Sequence, residues 1–158
     1  MTSGDKNYML DKLTTTQATI QYILAGVDLE LTVYADTGWR IRDILGHIAT
    51  WDWEIVKVLQ AFLAGDEYLI PGIQDDESDF NAEAVAAQRS LSTEQILADW
   101  KQSRQDLLAA IDEIPLERFP GDFVYPWGDE RGPITRLVEY FIEHDEEHQA
   151  EFEQVLKK

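Results

Sequence analysis

The sequence predicts an all-α protein, a four-helix bundle with one short connection and two long ones. Three observations predict it. All five prolines (Pro71, Pro115, Pro120, Pro126 and Pro133) fall in two short regions, leaving four long stretches free of helix breakers. Apolar residues in those stretches recur three and four apart, the repeat of one helix face. Cap and turn residues stand where the stretches begin and end.

The first helix is expected over roughly residues 8–34. Leu13, Ile20, Leu24, Val27, Leu31 and Tyr34 recur at helical spacing, interrupted by polar Gln17, and Asp36-Thr37-Gly38 ends the run. The second follows almost at once, which predicts two antiparallel neighbours. It carries Ile44, Ile48, Trp51, Ile55, Val58 and Phe62 at spacings of 4, 3, 4, 3 and 4, and Gly65 closes it. A stretch rich in Asp, Glu, Pro and Gly comes next, with a short helix predicted over 81–88. Ser92 with Gln95 reads as a capping box that opens the third long helix, reaching about Ile114. Its apolar positions are Leu97, Trp100, Leu107, Leu108, Ile111 and Ile114. Residues 115–132 form a connection holding Phe119, Phe123, Tyr125 and Trp127, and Pro133 suits the first turn of the last helix.

A chain of 158 residues fits one domain, 1–158, able to bury a core of its own. It has no cysteine, which excludes disulfides, zinc ribbons and a thiol nucleophile in the protein. The N-terminal MTSGDKNYML lacks the basic and apolar segments of a signal peptide, and no apolar run has the length of a membrane span. A cytoplasmic protein is expected. The net charge of −18 repels phosphate backbones and anionic lipid, so neither nucleic acid nor membrane is an expected partner. No basic residue stands between Lys57 and Arg89, and Asp66, Glu67, Asp75, Asp76, Glu77, Asp79 and Glu83 read as a solvated acidic surface. The run DDESD lacks the spacing and the glycine of an EF-hand loop.

Chemistry centres on the three histidines, the chain's full complement. His144 and His148 stand four apart in EHDEEHQAE and project from one helix face. Leu137, Phe141, His144, His148, Phe152 and Val155 are spaced 4, 3, 4, 4 and 3, so the pair occupies the apolar stripe of its helix. His47 lies about 40° from Trp51 at 100° per residue and borders the stripe of the second helix. Imidazoles turned toward a core need partners for their nitrogens. A divalent metal on His47, His144 and His148 supplies one and leaves coordination positions open. The competing reading leaves the pair partly exposed and protonated by the six acids between Glu143 and Glu153. Asp43, Glu54 and Glu151 lie one or two turns from a histidine and are candidates to orient an imidazole, with no catalytic role assigned. HDEEH matches the letters of an inverted zinc-protease motif with Glu147 as base, but only ten residues follow His148, and that reading is set aside. Trp51, Trp53, Trp100 and Tyr140 are expected as core or pocket walls, and Tyr125 and Trp127 at a pocket mouth.

Two segments resemble the DinB-like superfamily of bacterial four-helix proteins, which includes the YfiT-type metal-dependent hydrolases. GWRIRDILGHIATWDWEIV is similar to its second-helix pattern, with Trp39, His47 and the Trp51-Asp52 pair. EHDEEHQAEF is similar to its last-helix histidine pair. The resemblance implies an up-down-down-up bundle, nickel or zinc on His47, His144 and His148, and a homodimer. It implies a metal-dependent enzyme acting on a small molecule, either a thiol S-transferase using a low-molecular-weight thiol or a hydrolase. Arg131 and Arg136 are the only nearby cations for an anionic thiol. The alternative is a non-catalytic, stress-associated binding protein or dimeric interaction module with a structural metal or vestigial histidines.

Overall fold

The computed structural model describes residues 3–73 and 76–157, so Asp75 of the acidic run and Met1-Thr2 lie outside the described residues. The helices are α1 (Ser3–Ile23), α2 (Ile41–Leu63), α3 (Glu77–Ala87), α4 (Thr93–Glu113) and α5 (Ile134–Leu156). Two short antiparallel ribbons join them, β1 (Thr32–Tyr34) with β2 (Trp39–Arg40), and β3 (Phe123–Val124) with β4 (Arg131–Gly132). The protein is mostly helical, as expected; the ribbons were not anticipated.

The first helix stops at Ile23, eleven residues before Tyr34 where the periodicity placed its end. Gly26 sits at φ +75, a left-handed conformation that an α-helix cannot pass through. Beyond it the chain turns back. Leu29 and Leu31 carbonyls accept from the Arg42 and Ile41 amides, and β-branched Thr32-Val33 pairs as a strand with β2. Leu31, counted in the apolar stripe, is 40% exposed. This returning segment also overturns the expected α1–α2 neighbours. Instead α1 packs on α5 and α4, and α2 packs chiefly on α4.

Other boundaries follow local chemistry. Ser92 and Gln95 form the expected box: the Ser92 amide donates to Gln95 Oε1 at 2.7 Å and the Gln95 amide to Ser92 Oγ at 3.1 Å. Asp43, a candidate imidazole orienter, instead caps α2, accepting from the Arg40 amide at 2.8 Å and from the Arg40 guanidinium. The short helix begins at Glu77 because Asp76 caps it through the Ser78 amide at 2.9 Å, so the acidic run is a helix start. Pro133 stands one residue before α5. In the 115–132 connection the buried Tyr125 donates to the Pro133 carbonyl at 2.7 Å, and a Cβ at Gly132 would collide with that hydroxyl.

The core divides in two. One cluster takes the N-terminal halves of α1 and α5 (Met9, Leu13, Leu137, Phe141) with the C-terminal halves of α2 and α4 (Ile55, Leu59, Leu107, Ile111). The other takes the opposite halves: Ile20, Leu24 and Phe152 with Ile44, Ile48, Ile96 and Trp100. Between them, at the middle of α1, α2, α4 and α5, lies a buried ionic layer. Arg104 of α4, 1% exposed, bridges Asp52 of α2 and Asp145 of α5, each 1% exposed. Its Nε and Nη2 reach Asp52 at 3.1 and 3.2 Å, and its Nη1 and Nη2 reach Asp145 at 2.7 and 3.3 Å. Nη1 also donates to the Leu13 carbonyl of α1 at 2.8 Å, so all five N–H groups are satisfied. Thr16 and Ser103 add hydroxyl donors to the two carboxylates.

Candidate metal centre

His47 comes from α2, and His144 and His148 from α5. Their ring nitrogens meet. His144 Nε2 lies 3.0 Å from both His47 Nε2 and His148 Nε2, and one ligand atom from each of the three lies within 4.8 Å of the others. His47 and His148 are buried and His144 is half-buried. Trp39 of the first ribbon packs against the His47 ring, with centroids 5.4 Å apart, and Tyr34 packs against Trp39 at 5.7 Å.

Of the three acids considered as orienters, Glu151 is the one that reaches an imidazole. His148 Nδ1 is 2.5 Å from Glu151 Oε1, which also accepts from the Tyr34 hydroxyl at 2.7 Å. With the Nδ1 proton held there, the lone pair of His148 is on Nε2 and faces its neighbours. Glu54 is engaged elsewhere, by Lys57 and by the Tyr68 hydroxyl.

Burial decides the charge of the rings. It pushes His47 down to about 2, with His144 and His148 lowering it further, and His144 down to about 4, with His148 adding to the effect. Asp145 and Glu151 raise His144, each by less than burial lowers it, while Glu143, Glu146 and Glu147 are exposed and Asp145 is bound to Arg104. Both rings are therefore neutral at neutral pH, the state that ligates metals. Glu147 on the outer face also removes the would-be base of the protease motif. The rings cannot all satisfy one another here, since His144 Nε2 offers either one proton or one lone pair and faces two neighbours. A divalent cation satisfies all three, so the donor set fits one.

A cavity of about 640 Å³ opens onto the site. His47 and His144 line it and His148 does not, being braced from behind by Glu151. Trp51, Trp127, Tyr140 and Phe141 form its aromatic walls, as expected for Trp51 and Tyr140. Trp51 Nε1 donates to Asn81 Oδ1 at 2.8 Å, tying α3 to the wall. Trp100 is core, Trp53 donates to Asp99, and Tyr125 lies buried behind Trp127. Arg131 and Arg136 do not line the cavity; Arg131 pairs with Asp122 and Glu67, and Arg136 lies over the Tyr140 ring.

Periodicity missed two contributors. The apolar repeat places Tyr34 in a helix, and nothing local signals its bond to Glu151. The Arg104 layer did leave a signal, because Arg104 falls in the stripe Trp100, Leu107, Ile111 and Asp145 between Phe141 and Phe152. Among known proteins, the family model for the DinB superfamily matches residues 7–152. No curated protein and no solved structure matches the chain.

Proposed function

This chain belongs to the DinB superfamily, and from that premise we propose that it is a metal-dependent enzyme acting on a small molecule. One observation carries the reading: three imidazole nitrogens, those of His47 and His144 on neutral rings, converge where a cavity reaches two of the three rings. An open cavity at the donor set favours catalysis over a structural ion, whose coordination is closed. His47, His144 and His148 would hold the ion, nickel or zinc, which supplies Lewis acidity and lowers the pKa of a coordinated nucleophile. That chemistry suits a chain without cysteine. The chain's own residues do the rest. Glu151, held by Tyr34, keeps His148 in the ligating tautomer. The aromatic walls exclude water from one side of a bound substrate, and Asn81 fixes the Trp51 indole in that wall.

The two half-cores, joined through opposite ends of the helix pairs α1/α5 and α2/α4, support an up-down-down-up four-helix bundle. The family supports a thiol S-transferase or a hydrolase, acting as a cytoplasmic homodimer. Among the described residues no helix is long and apolar enough to cross a membrane, which fits that setting. The test is metal content after purification without a histidine tag. Wild type is expected to carry, or after loading to take up, about one equivalent, and His144→Ala close to none. No metal under any loading condition overturns the proposal and leaves the non-catalytic alternative. With metal present, conjugation to several low-molecular-weight thiols, set against hydrolysis of the same electrophiles, separates transferase from hydrolase.

A further inference from the structure

The cavity beside the histidines is charged on one side only. Asp76, Glu77, Asp129 and Glu130 line it, and among the described residues no lysine or arginine does. Glu130 is built into the aromatic wall: its Oε1 accepts from Trp127 Nε1 at 3.2 Å and its Oε2 from the Tyr140 hydroxyl at 2.5 Å. Its charge is thereby fixed between two rings whose centroids are 5.8 Å apart. Among the described residues no ion pair neutralises Glu77 or Asp129. The aromatic wall adds a cation-binding face beside the acids. The Arg136 guanidinium already sits over one face of Tyr140, 4.7 Å from the ring centroid, so this ring engages a cation within the protein itself.

Carboxylates focused in a cleft with aromatic walls attract cations and repel anions. Faces of Trp and Tyr bind ammonium groups that have shed part of their water. Even with a divalent ion on the imidazoles, four carboxylates leave the cavity negative.

We propose that the cavity selects an organic cation, an amine or quaternary ammonium carried on an apolar body, with the charged group at the acidic rim and the reacting end toward His47 and His144. The proposal rests on reading this cavity as the substrate site. It assigns selectivity to Glu77, Asp129 and Glu130 and to the rings of Trp127 and Tyr140. It also makes a thiol cosubstrate bearing carboxylates a poor fit, and a neutral or amine-bearing thiol a good one.

Three probes that share a 2-phenylethyl body test it: 2-phenylethylammonium, 2-phenylethanol and 3-phenylpropionate. Each is titrated calorimetrically and by tryptophan fluorescence into the full chain, stripped of metal and loaded with zinc. The stripped protein decides the charge preference, because a carboxylate can ligate zinc directly. The ammonium probe is expected to bind about tenfold tighter than the alcohol, and the carboxylate about tenfold weaker than the alcohol. In Glu77→Gln/Asp129→Asn, two exposed rim positions, the ammonium-to-alcohol gap is expected to fall to about threefold or less. Equal binding of ammonium and alcohol, no binding of any probe, or an undiminished gap in the double variant overturns the proposal. His144→Ala keeps the two readings apart: it is expected to lose metal and keep the charge preference.

Discussion

Replacing Arg104 with methionine tests the ionic layer on which the histidine-bearing helices are registered. The side chain is 1% exposed, and its five N–H groups go to two carboxylates and one carbonyl contributed by three other helices. Methionine fills much of the volume but donates nothing, leaving two buried carboxylates without a cation. Breaking a buried ion pair from one side costs about 3–5 kcal/mol. For a domain of this length, about 1 kcal/mol moves Tm by about 2–4 °C, so the loss is on the order of 10 °C. The pH dependence has a definite sign. Burial raises Asp52 to about 6 against the opposing pull of Arg104. A carboxyl with a raised folded pKa favours the fold fully below its unfolded value of 3.8 and loses that contribution as pH rises through about 6. Without Arg104 the raising effect is unopposed, so the variant is expected to lose more at pH 8 than at pH 5. Thermal denaturation followed by circular dichroism at both values reads this directly. The apolar triple variant Asp52→Leu/Arg104→Met/Asp145→Leu is expected to recover most of the loss, since the unpaired charges go with the arginine. A Tm drop under about 3 °C for Arg104→Met, or a triple variant no better than the single, refutes the reasoning.

Two further outcomes concern the histidines. In metal-free protein, His47 and His144 are held below their unfolded value of 6.5, so their contribution is intact above that value. It is lost as pH falls toward about 4 for His144 and about 2 for His47, each ring costing about 1.4 kcal/mol per pH unit over its window. His47→Gln is expected to flatten the acid side of a stability–pH curve measured by urea denaturation between pH 7 and 4.5, and a limb parallel to wild type refutes the assignment. Glu151→Ala is expected to weaken zinc binding about 10- to 100-fold in competition with a chromophoric chelator, with Tyr34→Phe losing less. Unchanged affinity in Glu151→Ala would mean that His148 needs no support.

The helices were legible wherever one chemical signal settled the matter. Ser92 with Gln95 marked the start of α4, the 3-4 stripe from Ile44 to Phe62 marked α2, and the stripe through His144 and His148 marked the inner face of α5. Where two signals conflicted, periodicity misled. Val27, Leu31 and Tyr34 continue the repeat of α1, yet Gly26 breaks the helix and the chain turns into a ribbon. That miss hid the role of Tyr34, because its partners Glu151 and His148 lie more than a hundred positions away.

What the sequence determined by itself was the helical class, most helix positions, the inward face of His144 and His148, and the family to which the patterns belong. These depend on neighbours within a few residues, where spacing and capping speak for themselves. Tertiary structure alone decided that α1 packs on α5 and α4, that three imidazole nitrogens share one point, and that Glu151 reaches His148 while Asp43 and Glu54 do not. It also decided that burial outweighs nearby acids in setting the charge of His47 and His144. Those outcomes depend on which faces meet across the core and how much water is excluded there, and no one-dimensional spacing carries that information.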